Sequence, residues 1–154
     1  TFTNLDAHAF EARARLIAPM NWRELPGAPP AGTEVCRLAE VPSDNALERR
    51  FSAAEPRFAL IVLRHADGVV GYLNRCPHAG IPLNFSDDVF CLIESDGQRD
   101  LLCPHHSALF RVPQGECHDG PCRGDRLTAV PLEVSEGVVR VATSPQPDLF
   151  QEIE

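Results

Sequence analysis

Two short boxes, Cys76-Pro77-His78 and Cys103-Pro104-His105-His106, constrain this chain more than any other feature. Each places a thiol and an imidazole on one tight loop, and the proline after each cysteine stiffens the loop that must present them. Thiolate sulfur suits zinc and iron–sulfur clusters, and imidazole suits zinc and iron. Two loops that each supply one sulfur and one nitrogen make either a Cys2His2 zinc site or a [2Fe–2S] cluster with two histidines on one iron. Structural zinc sites favour paired C-x2-C or H-x3-5-H halves, so spacings of C-x-H and C-x-x-H favour the cluster. Within the second box His105 competes with His106, because Cys103-x-His105 would repeat the first spacing.

In this order of boxes, Cys76, His78, Cys103 and His106 resemble the ligand pattern of the Rieske iron–sulfur family. The resemblance implies that the cysteines hold one iron and the histidines the other, and it selects His106 over His105. Gly120-Pro121-Cys122 stands where that family carries a glycine–proline loop shielding the cluster, although the tripeptide alone would be an ordinary turn. The likeness runs from Val35 to Val141. It implies an all-β fold, a Rieske-type β-sandwich with a small cluster-binding subdomain over about 76–122. It further implies a ferredoxin, a one-electron carrier from a flavin-dependent reductase to a terminal oxygenase rather than an enzyme in its own right.

Three other functions compete. A zinc-stabilised interaction module would use the same four residues. A small subunit of a nitrite-reductase-like enzyme would share the fold, but such subunits often lack the ligands. An oxygenase component would need a further iron held by two histidines and a carboxylate, and outside the boxes only His8, His65 and His118 remain, with no close pair among them. The family's high-potential branch adds a cysteine to each box, tied as a disulfide, and puts a serine two residues and a tyrosine four residues after the second histidine. Here those positions are Ile81, His105, Ala108 and Phe110, with Ser107 one residue early, which implies the low-potential, ferredoxin-type branch.

A chain of 154 residues with 44% hydrophobic content is expected to form one globular domain. All 14 basic residues are arginine and 22 are acidic, a net charge of −8 that argues against nucleic acid and toward basic docking patches on a protein partner. Six cysteines do not read as a disulfide framework, since Cys76 and Cys103 belong to the boxes and Cys36 and Cys91 lie in apolar, strand-like segments. Cys117 and Cys122 are expected as thiols in a reducing compartment, though they stand close enough in sequence to pair. No apolar run reaches membrane-helix length and no secretory leader is visible, so a cytoplasmic location is expected, with no membrane association and no preference among oligomeric states.

Along the chain, Leu5, Ala9, Ala12 and Leu16 predict a helix over Thr3 to Ala18, and the proline- and glycine-rich run to Gly32 a linker, giving an N-terminal segment of residues 1–32. The cluster-bearing domain is expected over 33–143 and a polar tail over 144–154. Strands are predicted at Val35 to Val41, Phe58 to Arg64, Val69 to Leu73, Val89 to Glu94, Asp100 to Cys103, Leu109 to Val112, Glu116 to Cys117, Leu127 to Val134 and Val138 to Ala142, with Pro42 to Pro56 as a polar connection. Asp67-Gly68, Asp96-Gly97 and Glu136-Gly137 mark tight hairpins. Backbone N–H groups of Cys76 to Gly80 and Cys103 to Ala108 are expected to donate to the sulfurs, and Leu83, Leu109, Phe110 and Pro121 to exclude water. His8, His65 and His118 are assigned no role.

Overall fold

Strand β3, Ala59–His65, is the member from which the two halves of the domain are built. Its run of apolar residues has no polar face, the pattern of a strand buried on both sides. Because successive side chains alternate, Ile61 and Leu63 enter one core while Leu60 and Val62 enter another. The computed structural model describes residues 21–51, 58–66, 68–77, 80–86, 89–95, 97–104 and 107–143. The helix expected over Thr3 to Ala18 and the tail expected over 144–154 lie outside them.

Three antiparallel sheets make up the described part. The first joins β1 (Glu34–Arg37), β10 (Val138–Val141) and β9 (Leu132–Ser135), with β10 in the middle. The second runs β2 (Leu47–Arg50), β3 and β4 (Gly68–Leu73). The third is a meander of β5 (Cys91–Ser95), β6 (Gln98–Leu102), β7 (Leu109–Arg111) and β8 (Cys117–Asp119). The chain before β9 crosses onto the second sheet, where Leu73 N–H donates to Thr128 C=O and Val130 N–H to Gly71 C=O.

The all-β expectation holds, with local differences. The stretch Pro42 to Pro56 is not only a connection, because Leu47–Arg50 forms β2 along β3, from Leu47↔Val62 to Arg50↔Ala59. Its Glu-Arg-Arg composition hides the strand, which is specified by the edge that β3 offers rather than by its own pattern. The strand expected through Val41 ends at Arg37, and Leu38–Glu40 turns as a 3-10 segment in which Glu40 accepts from the Arg37 N–H. Leu127 to Pro131 precedes β9 rather than belonging to it, and meets the second sheet through the isolated bridge of Ala129 with Tyr72.

At the expected hairpins, pairing runs to His65↔Gly68, Ser95↔Gln98 and Ser135↔Val138. Gly68 is therefore already in β4. In the last hairpin both Glu136 and Gly137 take positive φ, 54° and 78°, which matches the twist of a two-residue connection. Trp22 packs 4% exposed and 6.0 Å from the Phe58 ring, in the core shared with Val35, Val139 and Val141. Cys36 is buried there too, and burial pushes its thiol up, with Arg49 partly opposing.

Candidate metal centre

Cys76 and Cys103 come from loops that leave β4 and β6 and meet in one buried core with Leu83, Ala108, Phe110, Cys117 and Cys122. Each of the two cysteines is 1% exposed. The first loop closes on itself, since Cys76 N–H donates to Ile81 C=O at 2.7 Å and Gly80 N–H to Cys76 C=O at 2.7 Å. In the second, Cys103 N–H donates to Ala108 C=O at 2.8 Å, and the turn needs a left-handed Ser107 at φ 58°. These three amides were expected to serve the sulfurs. They instead hold the loops shut, which corrects that part of the sequence reading. Leu83, Ala108 and Phe110 are fully buried and Leu109 is half-buried, in keeping with a dry site, whereas Pro121 is exposed.

His78, His105 and His106 lie outside the described residues. Among the described residues, no three His, Cys, Asp or Glu side chains form a metal-holding group, so the described share of the site is its two sulfurs. His65 ends β3 exposed. His118 does have a partner: its Nε2 stands 2.8 Å from Asp100 Oδ2, while Arg111 Nε donates to Asp100 Oδ1 at 2.9 Å. The reason is a register shift in β8, where Leu109 pairs with Asp119 and Phe110 with Cys117, leaving His118 as the extra residue of a bulge. Asp100, only 3% exposed, thereby ties β6, β7 and β8 together beneath the second loop.

Sequence reasoning missed the brace of the first loop. Asn74 Oδ1 accepts from Leu83 N–H at 2.7 Å, and Asn74 Nδ2 donates to Glu48 Oε2 at 2.7 Å and to Asn84 Oδ1 at 3.0 Å. Glu48 also meets Arg50 at 3.1 Å. The polar residues of β2 thus position the loop of Cys76, and no local signal in Leu47–Arg50 announces it. Phe85 and Val89, 50% and 45% exposed, stand on the chain after this loop.

The expected glycine–proline loop lies against the second box. Gly120 has φ 107°, and a Cβ built on it would stand 2.7 Å from Ala108 Cα, so only glycine permits this approach. The next turn brings Cys122 Sγ within 3.1 Å of Cys117 Sγ, and Cys122 also hydrogen-bonds with Cys76. The hydrogen bond with Cys76, burial and the bond with Cys117 together push the Cys122 thiol far above the ordinary range. None of the six cysteines is in a disulfide.

The profile of the Rieske [2Fe-2S] domain matches residues 32–141. Among solved structures, the ferredoxin of carbazole 1,9a-dioxygenase from Nocardioides aromaticivorans is 21% identical with a TM-score of 0.58, covering 75% of this chain and 100% of that one. A complex of reduced oxygenase and oxidised ferredoxin in carbazole 1,9a-dioxygenase contains a chain 24% identical at a TM-score of 0.53, covering 75% of this chain and 95% of that one. A chain described as an NADH-dependent nitrite reductase small subunit from Mycobacterium tuberculosis is 19% identical at 0.54, covering 73% and 95%. A search of curated proteins finds no match. The described donors fit a [2Fe–2S] group: two soft sulfurs, buried in one apolar core, on loops closed by their own backbone.

Proposed function

Because this chain belongs to the Rieske [2Fe-2S] family, we propose that it is a one-electron carrier in which Cys76 and Cys103 hold one iron and His78 and His106 the other. The observation that carries the reading is the meeting of Cys76 and Cys103, from separate loops, in one core closed to water. When bound, the [2Fe–2S] group takes up and releases a single electron. The protein supplies the rest. Two neutral imidazoles in place of two thiolates leave the site less negative, which favours reduction relative to an all-cysteine ligand set. Asn74 and the Gly120 contact keep the two loops in place, and Leu83, Ala108 and Phe110 exclude water from the sulfur side.

The electron donor on this reading is a flavin-dependent reductase and the acceptor a terminal oxygenase, in the cytoplasm. Likeness to an oxygenase's ferredoxin partner supports it, and the net charge of −8 suits docking on basic surfaces. Likeness to a nitrite reductase small subunit favours a second reading, a subunit of such an enzyme. Replacing the proposed ligands separates cluster binding from fold alone. Cys76→Ala, His78→Ala, Cys103→Ala and His106→Ala should each abolish visible absorption and the EPR signal of the reduced protein, while His105→Ala keeps both. Loss in His105→Ala with retention in His106→Ala would overturn the ligand set. Anaerobic titration then distinguishes the two functions: a carrier exchanges its electron with a flavin reductase as a separate protein, whereas a subunit co-purifies with the large nitrite-reducing chain.

A further inference from the structure

Two thiols that the ligand set does not use stand directly behind one that it does. Cys117 opens β8 and Cys122 follows the glycine–proline loop; the turn between them is closed by Gly124 N–H to Cys117 C=O at 3.1 Å and Cys117 N–H to Asp125 C=O at 2.8 Å. Their sulfurs are 3.1 Å apart, both residues are buried, and the Cys117 thiol donates to Asp119 C=O at 3.1 Å. A thiol has one hydrogen. With that of Cys117 given to Asp119, its sulfur can only accept from Cys122. The hydrogen of Cys122 therefore has two possible acceptors, the sulfur of Cys117 and the sulfur of Cys76, with which Cys122 is also hydrogen-bonded.

The two acceptors differ in charge. Cys117 is a neutral thiol, a weak acceptor, whereas a metal-bound Cys76 sulfur is a thiolate, and hydrogen bonds to ionised acceptors are about twice as strong. The apolar surroundings of Leu83, Ala108 and Phe110 enlarge that difference, because low local dielectric strengthens charge-assisted bonds. The amides that close the two loops are committed to carbonyls, so a side-chain donor here supplies what those amides do not.

We propose that Cys122 is a positioning residue for electron transfer, a thiol donor to the Cys76 sulfur that raises the reduction potential, with the Cys117 sulfur as the weaker, competing acceptor. This rests on Cys76 being a cluster ligand. Reduction adds negative charge that the ligand sulfurs share, so a donor at Cys76 stabilises the reduced state more than the oxidised one.

The test uses the full chain with its cluster, whose presence is established first from visible absorption and iron content. Cys122→Ala should lower the equilibrium constant for reduction between threefold and tenfold, tenfold being 59 mV for one electron. Cys122→Ser, which keeps a donor, should hold the potential at or above that of the parent, and so should Cys117→Ala, which removes only the competing acceptor. In resonance Raman spectra, exchange into deuterium oxide should shift the iron–cysteine stretching bands of the parent more than those of Cys122→Ala. An unchanged midpoint in Cys122→Ala, or an equal fall in Cys122→Ser, overturns the proposal while leaving the cluster reading intact. A Cys117–Cys122 disulfide found by alkylation and mass measurement of the loaded protein also overturns it, since a disulfide sulfur has no hydrogen to donate. If Cys122→Ala does not retain a cluster, Cys122→Val, which also lacks a donor but fills the thiol's volume, takes its place: a lowered midpoint supports the proposal and an unchanged one overturns it. A parent chain that binds no cluster defeats both readings together.

Discussion

Gly120→Ala is expected to damage this protein in two separable ways. At φ 107° an alanine carries a backbone penalty of about 1–2 kcal/mol. Its Cβ would also stand 2.7 Å from Ala108 Cα, and backbone cannot swing aside as a side-chain tip does, so overpacking adds about 1–3 kcal/mol. Gly124→Ala is the control, because Gly124 has a similar φ of 97° but nothing within 4 Å of its Cβ. The difference between the two variants, about 1–3 kcal/mol, isolates the contact. With a urea slope near 2 kcal/mol/M, Gly120→Ala should unfold about 0.5–1.5 M earlier than Gly124→Ala. Fluorescence of the single tryptophan, Trp22 in the opposite core, reports the global transition, and visible circular dichroism reports the site. The displaced neighbour, Ala108, accepts from Cys103 N–H, so the visible spectrum should change in Gly120→Ala and not in Gly124→Ala. Equal midpoints and equal spectra would refute the argument that the proline loop is seated on the second box.

Tyr72 is the only tyrosine, its hydroxyl donates to the Val112 carbonyl, and burial raises its pKa with Arg126 partly opposing. A folded pKa above the unfolded value of 10.0 means stability fully present below pH 10 and lost as pH rises toward the folded value, so tyrosinate absorbance should appear only with unfolding, and Tyr72→Phe should flatten this alkaline loss. Tyrosinate forming in the folded protein near pH 10 would contradict it. Asp100→Ala leaves Arg111 and His118 without their shared acceptor; at about 1.5–3 kcal/mol for hydrogen bonds involving charge, the urea midpoint should fall by about 1 M, and an unchanged midpoint would mean that water replaces the carboxylate without cost. With Ala108 and Phe110 lacking hydroxyls, the midpoint potential should lie near the low end of the Rieske range, about −150 mV rather than +300 mV, and Ala108→Ser should raise it; a value well above 0 mV by potentiometric EPR would sink the ferredoxin-type reading.

What the sequence determined by itself is what neighbouring residues decide among themselves. Cys76-Pro77-His78 and Cys103-Pro104-His105-His106 are each short enough that spacing alone dictates a loop with two donors. Glu136-Gly137 marks a hairpin because positive φ is a local demand, and Phe58 to Arg64 reads as a buried strand because every residue in its middle is apolar. Family membership followed from the same local spacings and is matched by the domain profile. Tertiary structure decided what depends on partners distant in the chain. Leu47–Arg50 is a strand only because β3 offers a free edge, and Glu48 braces the first box only because Asn74, 26 residues away, meets it there. Asp100, Arg111 and His118 become one group through strand register and a bulge, which no sequence period encodes. Cys122 is one turn residue among many until the proline loop folds back on Ala108 and sets its sulfur beside those of Cys117 and Cys76. Local steric and hydrogen-bonding preferences are written into short stretches of chain; which thiol stands behind which ligand is settled by the packing of loops far apart in sequence.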